Sequence, residues 1–248
     1  MPARSSGFGR RRGAHGAPRL SAMPFLPQPG APLLTSRLEL RALSGTDLGQ
    51  IHAIHADPRT FAHASTPPVT SREAMESVLA TWIAEREAQG FGYCAVRPRQ
   101  WHPVDPDANL RDPEAILRDP ALVLGVGGLT RYRLGDRVVL SAYYRFRPEC
   151  WGLGIAREAL TAVLDQAARA FPGAESAVIT DGGNTPSLAL AARLGYRRTA
   201  EPIPGEPDLV VLTRTLGSAP EAQLGPLPEV QLGPTPVVQF SPPPEVQR

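Results

Sequence analysis

The residues best placed to do chemistry lie in one stretch, Pro148-Glu149-Cys150-Trp151-Gly152-Leu153-Gly154-Ile155-Ala156-Arg157-Glu158-Ala159-Leu160. A strand-like run over 138–146 feeds this glycine-rich turn, and the turn opens a helical pattern. A helix start exposes backbone N–H groups that have no intrahelical partner, together with the positive end of the helix dipole. Gly152 and Gly154 let an anionic ligand come close to that backbone. The chemistry so implied is recognition of a phosphate or pyrophosphate group. Further along, Asn184-Thr185-Pro186-Ser187 opens a short helical pattern that ends in Leu194-Gly195-Tyr196.

Together these segments resemble the GNAT superfamily of acyl-CoA-dependent N-acetyltransferases, and within it the RimJ/RimL-like, ribosomal-protein N-terminal acetyltransferase branch. That branch reads Tyr-x-x-x-Pro-x-x-Trp-Gly-x-Gly-x-Ala-x-Glu-Ala, matched here by Tyr144, Pro148, Trp151, Gly152, Gly154, Ala156, Glu158 and Ala159. Its Asn-x-x-Ser and Leu-Gly-Phe/Tyr pieces match Asn184, Ser187 and Leu194-Gly195-Tyr196. Its opening Thr-x-Arg-Leu-x-Leu-Arg matches Thr35-Ser36-Arg37-Leu38-Glu39-Leu40-Arg41. The resemblance spans residues 33–216. Three motifs in the right order carry it, where a lone Gly-x-Gly would not.

The resemblance implies acetyl-CoA as co-substrate and direct transfer of its acetyl group to a primary amine, either a protein N-terminus or a small amine. It assigns the pyrophosphate to backbone N–H groups of Gly152, Leu153, Gly154, Ile155, Ala156 and Arg157, beside Trp151. It pairs the pantetheine amides with main chain near Tyr144 and Phe146, and makes Asn184 a side-chain contact to the same arm. Ser187 stands where the branch carries a serine proposed to protonate the leaving thiolate. Many GNAT members place a tyrosine seven residues after the asparagine; that position is Ala191 here. The branch's acid three residues before the motif tyrosine is replaced by Ser141. Candidate bases are then His63, Asp181 or water alone, and the plainer reading of both side chains is structural.

Other readings are weaker. A dinucleotide fingerprint needs a third glycine where Arg157 stands. His52 and His55 are three apart on a helical pattern, but no further Cys or carboxylate completes a metal site, so no metal is expected. Cys150 has no neighbour that would specifically lower its thiol pKa, so it is not read as a nucleophile. A binding protein that holds acyl-CoA on the same fold without efficient turnover is the alternative function, motivated by Ser141 and by the repeat tail described below.

The elements that must position these residues follow from periodicity. Residues 37–42 alternate as a half-buried strand. Ser44 and Asp47 cap a helix bearing Leu48, Ile51 and Ile54. Thr70 and Glu73 form a second capping box, for a helix that buries Val78, Leu79, Trp82 and Ile83 and ends at Gly90. Strands are expected over 92–96, 122–132, 138–146, 176–180 and 209–215, with a turn at Gly135-Asp136. The helix after the glycine turn buries Ile155, Ala159, Leu160, Val163, Leu164 and Ala167. Thr185-Pro186 starts the last helix as cap and first residue. The order β-α-α-β-β-β-α-β-α-β predicts an α+β fold, a mixed and mostly antiparallel sheet with helices on both faces. In the GNAT fold the strands at 138–146 and 176–180 splay apart to hold acyl-CoA.

Composition bounds the rest. The 248 residues accommodate one domain with extended ends. Two cysteines make no disulfide framework, which points to a reducing, cytoplasmic setting. No apolar run approaches the roughly 18 residues of a membrane helix. All 26 basic residues are arginine, a trait of GC-rich coding rather than of function. Six of them and no acid fall in residues 1–38, and the remaining twenty face 24 acids. Residues 1–31 therefore read as a disordered Arg/Gly/Pro-rich arm, with Met23 an alternative start and nucleic-acid binding by Arg10-Arg11-Arg12 unlikely. Residues 32–217 form the catalytic domain, with a proline-rich loop insertion at 97–120 that holds a helical turn near 114–117. Residues 218–248 form a tail of octapeptides from Pro220, PEAQLGPL, PEVQLGPT, PVVQFSPP and PEVQ, read as extended low-complexity sequence. The expected assembly is a monomer or homodimer.

Overall fold

The structure, a computed structural model, describes residues 31–99, 113–203 and 205–217. The N-terminal arm, the centre of the insertion at 100–112 and the repeat tail lie outside the described residues. One sheet contains β1 (Leu33–Leu34), β2 (Leu38–Ala42), β3 (Tyr93–Pro98), β4 (Gly125–Leu134), β5 (Arg137–Phe146), β6 (Glu175–Asp181), β7 (Arg197–Arg198) and β8 (Leu209–Thr215). Its spatial order is β1-β2-β3-β4-β5-β6-β8-β7. The helices are α1 (Leu48–Ala56), α2 (Arg72–Gln89), α3 (Ile155–Ala170) and α4 (Thr185–Arg193).

Alternation of side chains gives the sheet two apolar faces. From β3, Cys94 and Val96 pack with Ile155, Leu160, Val163 and Leu164 of α3. Tyr93 and Ala95 pack instead with Ile51 and Ile54 of α1 and with Met75, Leu79 and Trp82 of α2. All six apolar positions read as the inner face of α3 are buried. Helices thus cover both faces, as the pattern predicts.

The feature that matters for function is one interrupted ladder. Every neighbouring pair is antiparallel except β5 and β6, which run parallel. Their pairing is confined to Leu140 with Ser176 and Ser141 with Ala177. Beyond that point β5 stays paired to β4 as far as Phe146, and β6 stays paired to β8 as far as Asp181. Each strand follows its other neighbour, so the two part. At the fork the buried Ser176 hydroxyl donates to the Leu140 carbonyl (2.8 Å) and accepts from Tyr196 Oη (2.7 Å). The fork exposes main-chain amides of 142–146 and 178–181 that no strand pairs across the gap, available to a ligand with amides of its own.

Several boundaries differ from expectation. Ser71, not Thr70, caps α2, its hydroxyl accepting from Ala74 N. Asn184, not Thr185, caps α4, its side chain accepting from Ser187 N, and proline follows at the second helical position. In both cases adjacent polar residues compete for one geometric role, and the chain entry angle decides. In α2 the buried residues are Met75, Leu79, Trp82 and Arg86, while Val78 and Ile83 are only half-buried. The two-residue strands β1 and β7 were not expected, since two residues carry no readable period. The strand end at Arg97 and Pro98 takes the first residues of the expected insertion, and a 3-10 turn spans Pro113–Arg118.

Candidate active site

A single cavity of about 600 Å³ fills the fork between β5 and β6. Tyr144, Phe146, Trp151, Gly152, Gly154, Ile155, Ala156, Arg157, Asn184 and Ser187 all line it. Leu153 does not: its carbonyl turns the other way and accepts from Arg37 Nη2 at 2.9 Å.

At one end the cavity meets the start of α3. Gly154 caps the helix at φ +73°, and Gly152 sits at φ +79°. Both are left-handed conformations that cost any residue with a Cβ. They turn the chain sharply into α3, and Gly154, Ile155, Ala156 and Arg157 of its first turn line the cavity. Trp151 Nε1 donates to the Phe146 carbonyl at 3.2 Å, which fastens the turn to the end of β5. The Phe146 ring in turn lies across Gly125, where a Cβ would fall 2.3 Å from it. Arg157 is exposed on the cavity rim, within reach of a phosphate bound there.

On the same side Ser187 Oγ lies 2.7 Å from Tyr144 Oη. Asn184 is engaged twice: Oδ1 accepts from Ser187 N at 3.2 Å, and Nδ2 donates to Thr180 Oγ1 at 3.0 Å. One N–H and part of Oδ1 remain for a ligand. Burial pushes the Tyr144 phenol up to about 12, against the opposing pull of its bond to Ser187. It is therefore a protonated donor at neutral pH.

The opposite wall comes from α1 and the turn after it. His55 is buried, and its Nδ1 donates to the Ile51 carbonyl at 2.8 Å. Nε2 of the neutral ring therefore accepts from Tyr143 Oη, 2.8 Å away. Arg145 Nε donates to the same phenol oxygen at 3.1 Å, Nη1 donates to the Thr60 carbonyl, and the guanidinium lies 3.6 Å from the centre of the Phe61 ring. Burial first, and the Arg145 charge second, lower the His55 pKa to about 3. Asp181, at the end of β6, accepts from Ser65 N at 2.7 Å, and exposed His63 sits beside it on the rim.

The family model "Acetyltransferase (GNAT) domain" matches residues 37–197. The chain belongs to the GNAT acetyltransferase family. It is thus an N-acetyltransferase by family, and its sheet is the GNAT fold. No curated protein sequence matches it. Solved GNAT-like structures resemble it in shape: an acetyltransferase from Agrobacterium tumefaciens has TM-score 0.58 and 19% identity over 74% of this chain and 93% of that one. RimL, a ribosomal L7/L12 α-N-protein acetyltransferase solved with coenzyme A, has TM-score 0.56 and 17% identity over 76% and 99%. Spermidine N-acetyltransferase from Vibrio cholerae, solved with CoA and spermine, has TM-score 0.53 and 18% identity over 73% and 97%. At these identities the likeness is one of fold.

Within this GNAT domain, the cavity brings together the residues that the sequence pointed to at the starts of α3 and α4, and adds Tyr143 and Arg145 on the α1 side. His52 and His55, paired on paper as a metal candidate, bind separate partners; His52 Nε2 donates to the Thr70 carbonyl at 3.0 Å. Among the described residues no group of three or more His, Cys, Asp or Glu is placed to hold a metal, and no helix is long and apolar enough to cross a membrane. Cys150 is buried, and burial pushes its thiol up to about 12, so it stays protonated. Tyr143 and Arg145 flank the motif residue Tyr144; the period of two in a strand was the available signal that they form the opposite wall.

Proposed function

We propose that this GNAT domain moves the acetyl group of acetyl-CoA directly to a primary amine, as a member of the RimJ/RimL-like branch. The observation that carries the reading is the continuity of the cavity. One space runs from the free N–H groups at the start of α3, through the fork, to the α1 wall. A donor and an acceptor entering from opposite sides would meet at the fork.

Acetyl-CoA supplies the acyl group already activated as a thioester. The N–H groups of Gly152, Gly154, Ile155, Ala156 and Arg157, which line the cavity, bind its pyrophosphate, and the main chain at Tyr144 to Phe146 pairs with the pantetheine amides, with Asn184 as a side-chain contact. The Ser187–Tyr144 hydroxyl pair gives a proton to the sulfur as the C–S bond breaks and the new C–N bond forms. The amine's proton leaves toward the rim, where water, Asp181 or His63 receives it. His55 is not the base, because its Nε2 lone pair already accepts from Tyr143 Oη and burial leaves the ring too weak a base to take up a proton. Positioning supplies several kcal/mol of the barrier reduction.

A second reading, an acyl-CoA-binding protein with weak turnover, draws on Ser141. It replaces the branch's acid and is buried in the last β5–β6 pair, out of reach of a substrate. Calorimetric titration of acetyl-CoA into wild type and Gly154→Glu decides the first point. Micromolar binding that the variant abolishes supports the donor site, and CoA thiol release with amines then separates transferase from binder. A well-folded wild type that binds no acetyl-CoA refutes both.

A further inference from the structure

We infer that the acceptor is an amine that also carries a carboxylate, and that the Arg145 guanidinium holds this carboxylate on the α1 side of the cavity. The inference rests on the transferase reading and adds the substrate class to it.

The strand places the charge. Tyr144 and Phe146 pack against the α3 core, and Tyr143 packs against the α1–α2 core. Arg145 follows Tyr143 by two residues, so it shares the acceptor side. It is half-buried and lines the cavity.

Its partners are all neutral. Nε donates to the Tyr143 phenol, Nη1 donates to Thr60, and one face of the guanidinium covers Phe61. Among the described residues Arg145 makes no ion pair, unlike Arg59 nearby, which binds Asp57 and Glu149. None of the Arg145 contacts uses Nη2, which leaves two N–H donors. A cation partly removed from water and given only neutral partners is costly unless an anion completes the site. Its charge also reaches His55, where it adds to the downward pull of burial. Tyr143 is itself fixed between His55 Nε2 and Arg145 Nε, so the guanidinium is held in one orientation before any ligand arrives.

The surroundings favour the same ligand. Among the described residues Asp181 is the one carboxylate lining the cavity, and it accepts from Ser65 N at one oxygen. A polyamine would meet the Arg145 cation, which has no anionic partner among the described residues, and a single acid, Asp181. An amino acid would offer the guanidinium an anion and leave its amine facing the fork. Arginine pairs well with carboxylates because its donors are planar and fixed.

The test compares the twenty L-α-amino acids with their carboxamides, which keep the amine and side chain but lose the anion. Spermidine and a neutral N-terminal peptide are added as other acceptor classes. Each is assayed with acetyl-CoA by thiol release, using wild type, Arg145→Gln and Arg145→Lys. The expected result is at least one acid preferred over its amide by about 10- to 100-fold in kcat/KM. That ratio should collapse toward unity in Arg145→Gln and be partly restored in Arg145→Lys. The acid-to-amide ratio in wild type needs no variant to fold. Equal use of acid and amide, or preference for spermidine or the neutral peptide, overturns the inference and leaves the transferase standing. So does an absence of turnover with every amino acid by protein that binds acetyl-CoA. Failure to bind acetyl-CoA in the calorimeter refutes the transferase reading, and this inference with it.

Discussion

Tyr144 Oη and Ser187 Oγ are 2.7 Å apart, joining β5 to α4 across the fork. The serine is fixed from below as well, since its N–H donates to the capping side chain of Asn184. Two hydroxyls held in this way form a unit with one proton to give, and burial keeps the phenol protonated well above neutral pH. Either Ser187→Ala or Tyr144→Phe should lower kcat by about 100-fold, with a smaller change in the KM for acetyl-CoA. The double variant should be little worse than either single one, because members of a unit are not additive. Steady-state thiol release checks this; independent, multiplying losses would show that the two hydroxyls act separately.

The glycine turn predicts a split between stability and affinity. A Cβ at Gly152 would meet no protein atom within 4 Å. Gly152→Ala therefore pays only for its left-handed backbone, about 1–2 kcal/mol of stability. If the turn faces a pyrophosphate, the same methyl group should weaken acetyl-CoA binding by about 10-fold or more through loss of close approach. Denaturant melts and calorimetry on one variant measure both. A stability loss without an affinity loss would remove this turn from the donor site.

Glu158 is expected to matter without touching a ligand. Its Oε1 accepts from Thr35 Oγ1 (2.6 Å), Ser36 Oγ (2.9 Å) and Arg37 N (2.9 Å), and its Oε2 accepts from Arg37 Nε (2.8 Å). Two motifs of the family signature, far apart in sequence, are thus clamped to one another. Burial raises the Glu158 pKa, but these bonds outweigh it and the net shift is downward. Glu158→Gln should cost about 1–3 kcal/mol in urea unfolding. The wild-type clamp adds stability above the unfolded glutamate pKa and loses it as pH falls through the lower folded value. Arg137, whose pairs with Glu175 and Glu201 are solvent-facing, should lose at most about 1 kcal/mol on truncation to alanine.

His55 predicts acid sensitivity that begins higher. Its folded pKa, near 3, lies below the ordinary 6.5. Between those values the unfolded chain takes up a proton that the folded chain refuses, so stability falls as pH falls. The slope is about 1.4 kcal/mol per pH unit below about pH 6.5, until the folded pKa is reached. Unfolding free energies at pH 6.5, 6.0, 5.5 and 5.0, taken as the difference between wild type and His55→Gln, isolate this ring from carboxylates such as Glu85, whose pKa burial raises. His55→Gln should flatten the slope; an unchanged slope would assign it elsewhere.

What could be read from the sequence was whatever repeats locally or depends on a residue's own backbone. The inner face of α3 follows from a 3.6-residue period, and β6 from β-branched residues. The turn at Gly135-Asp136 joins β4 to β5 as expected, with Leu134 paired to Arg137. The glycines at 152 and 154 were read as room for close approach to the backbone; that both are left-handed is a finding of the structure. The α3 and α4 side of the cavity is built on such local features, which is why all of its candidate residues but Leu153 line the cavity. The caps at Ser71 and Asn184 missed by one residue because adjacent polar side chains are equivalent until the chain direction is fixed.

By itself, then, the sequence determined the order of the main elements, the two-faced sheet and the glycine turn that opens α3. Only the tertiary structure decided which side chains meet across the fork. Tyr144 meets Ser187, Tyr143 lies between His55 and Arg145, and Arg37 meets Glu158 through distances that no local period encodes. These contacts depend on where β5 and β6 stop pairing, and that point is set by each strand's adherence to its other neighbour. A pattern of hydrophobic and polar residues specifies that a strand forms and which face it buries. It does not specify where two parallel strands part, and in this protein the site is the space that their parting leaves.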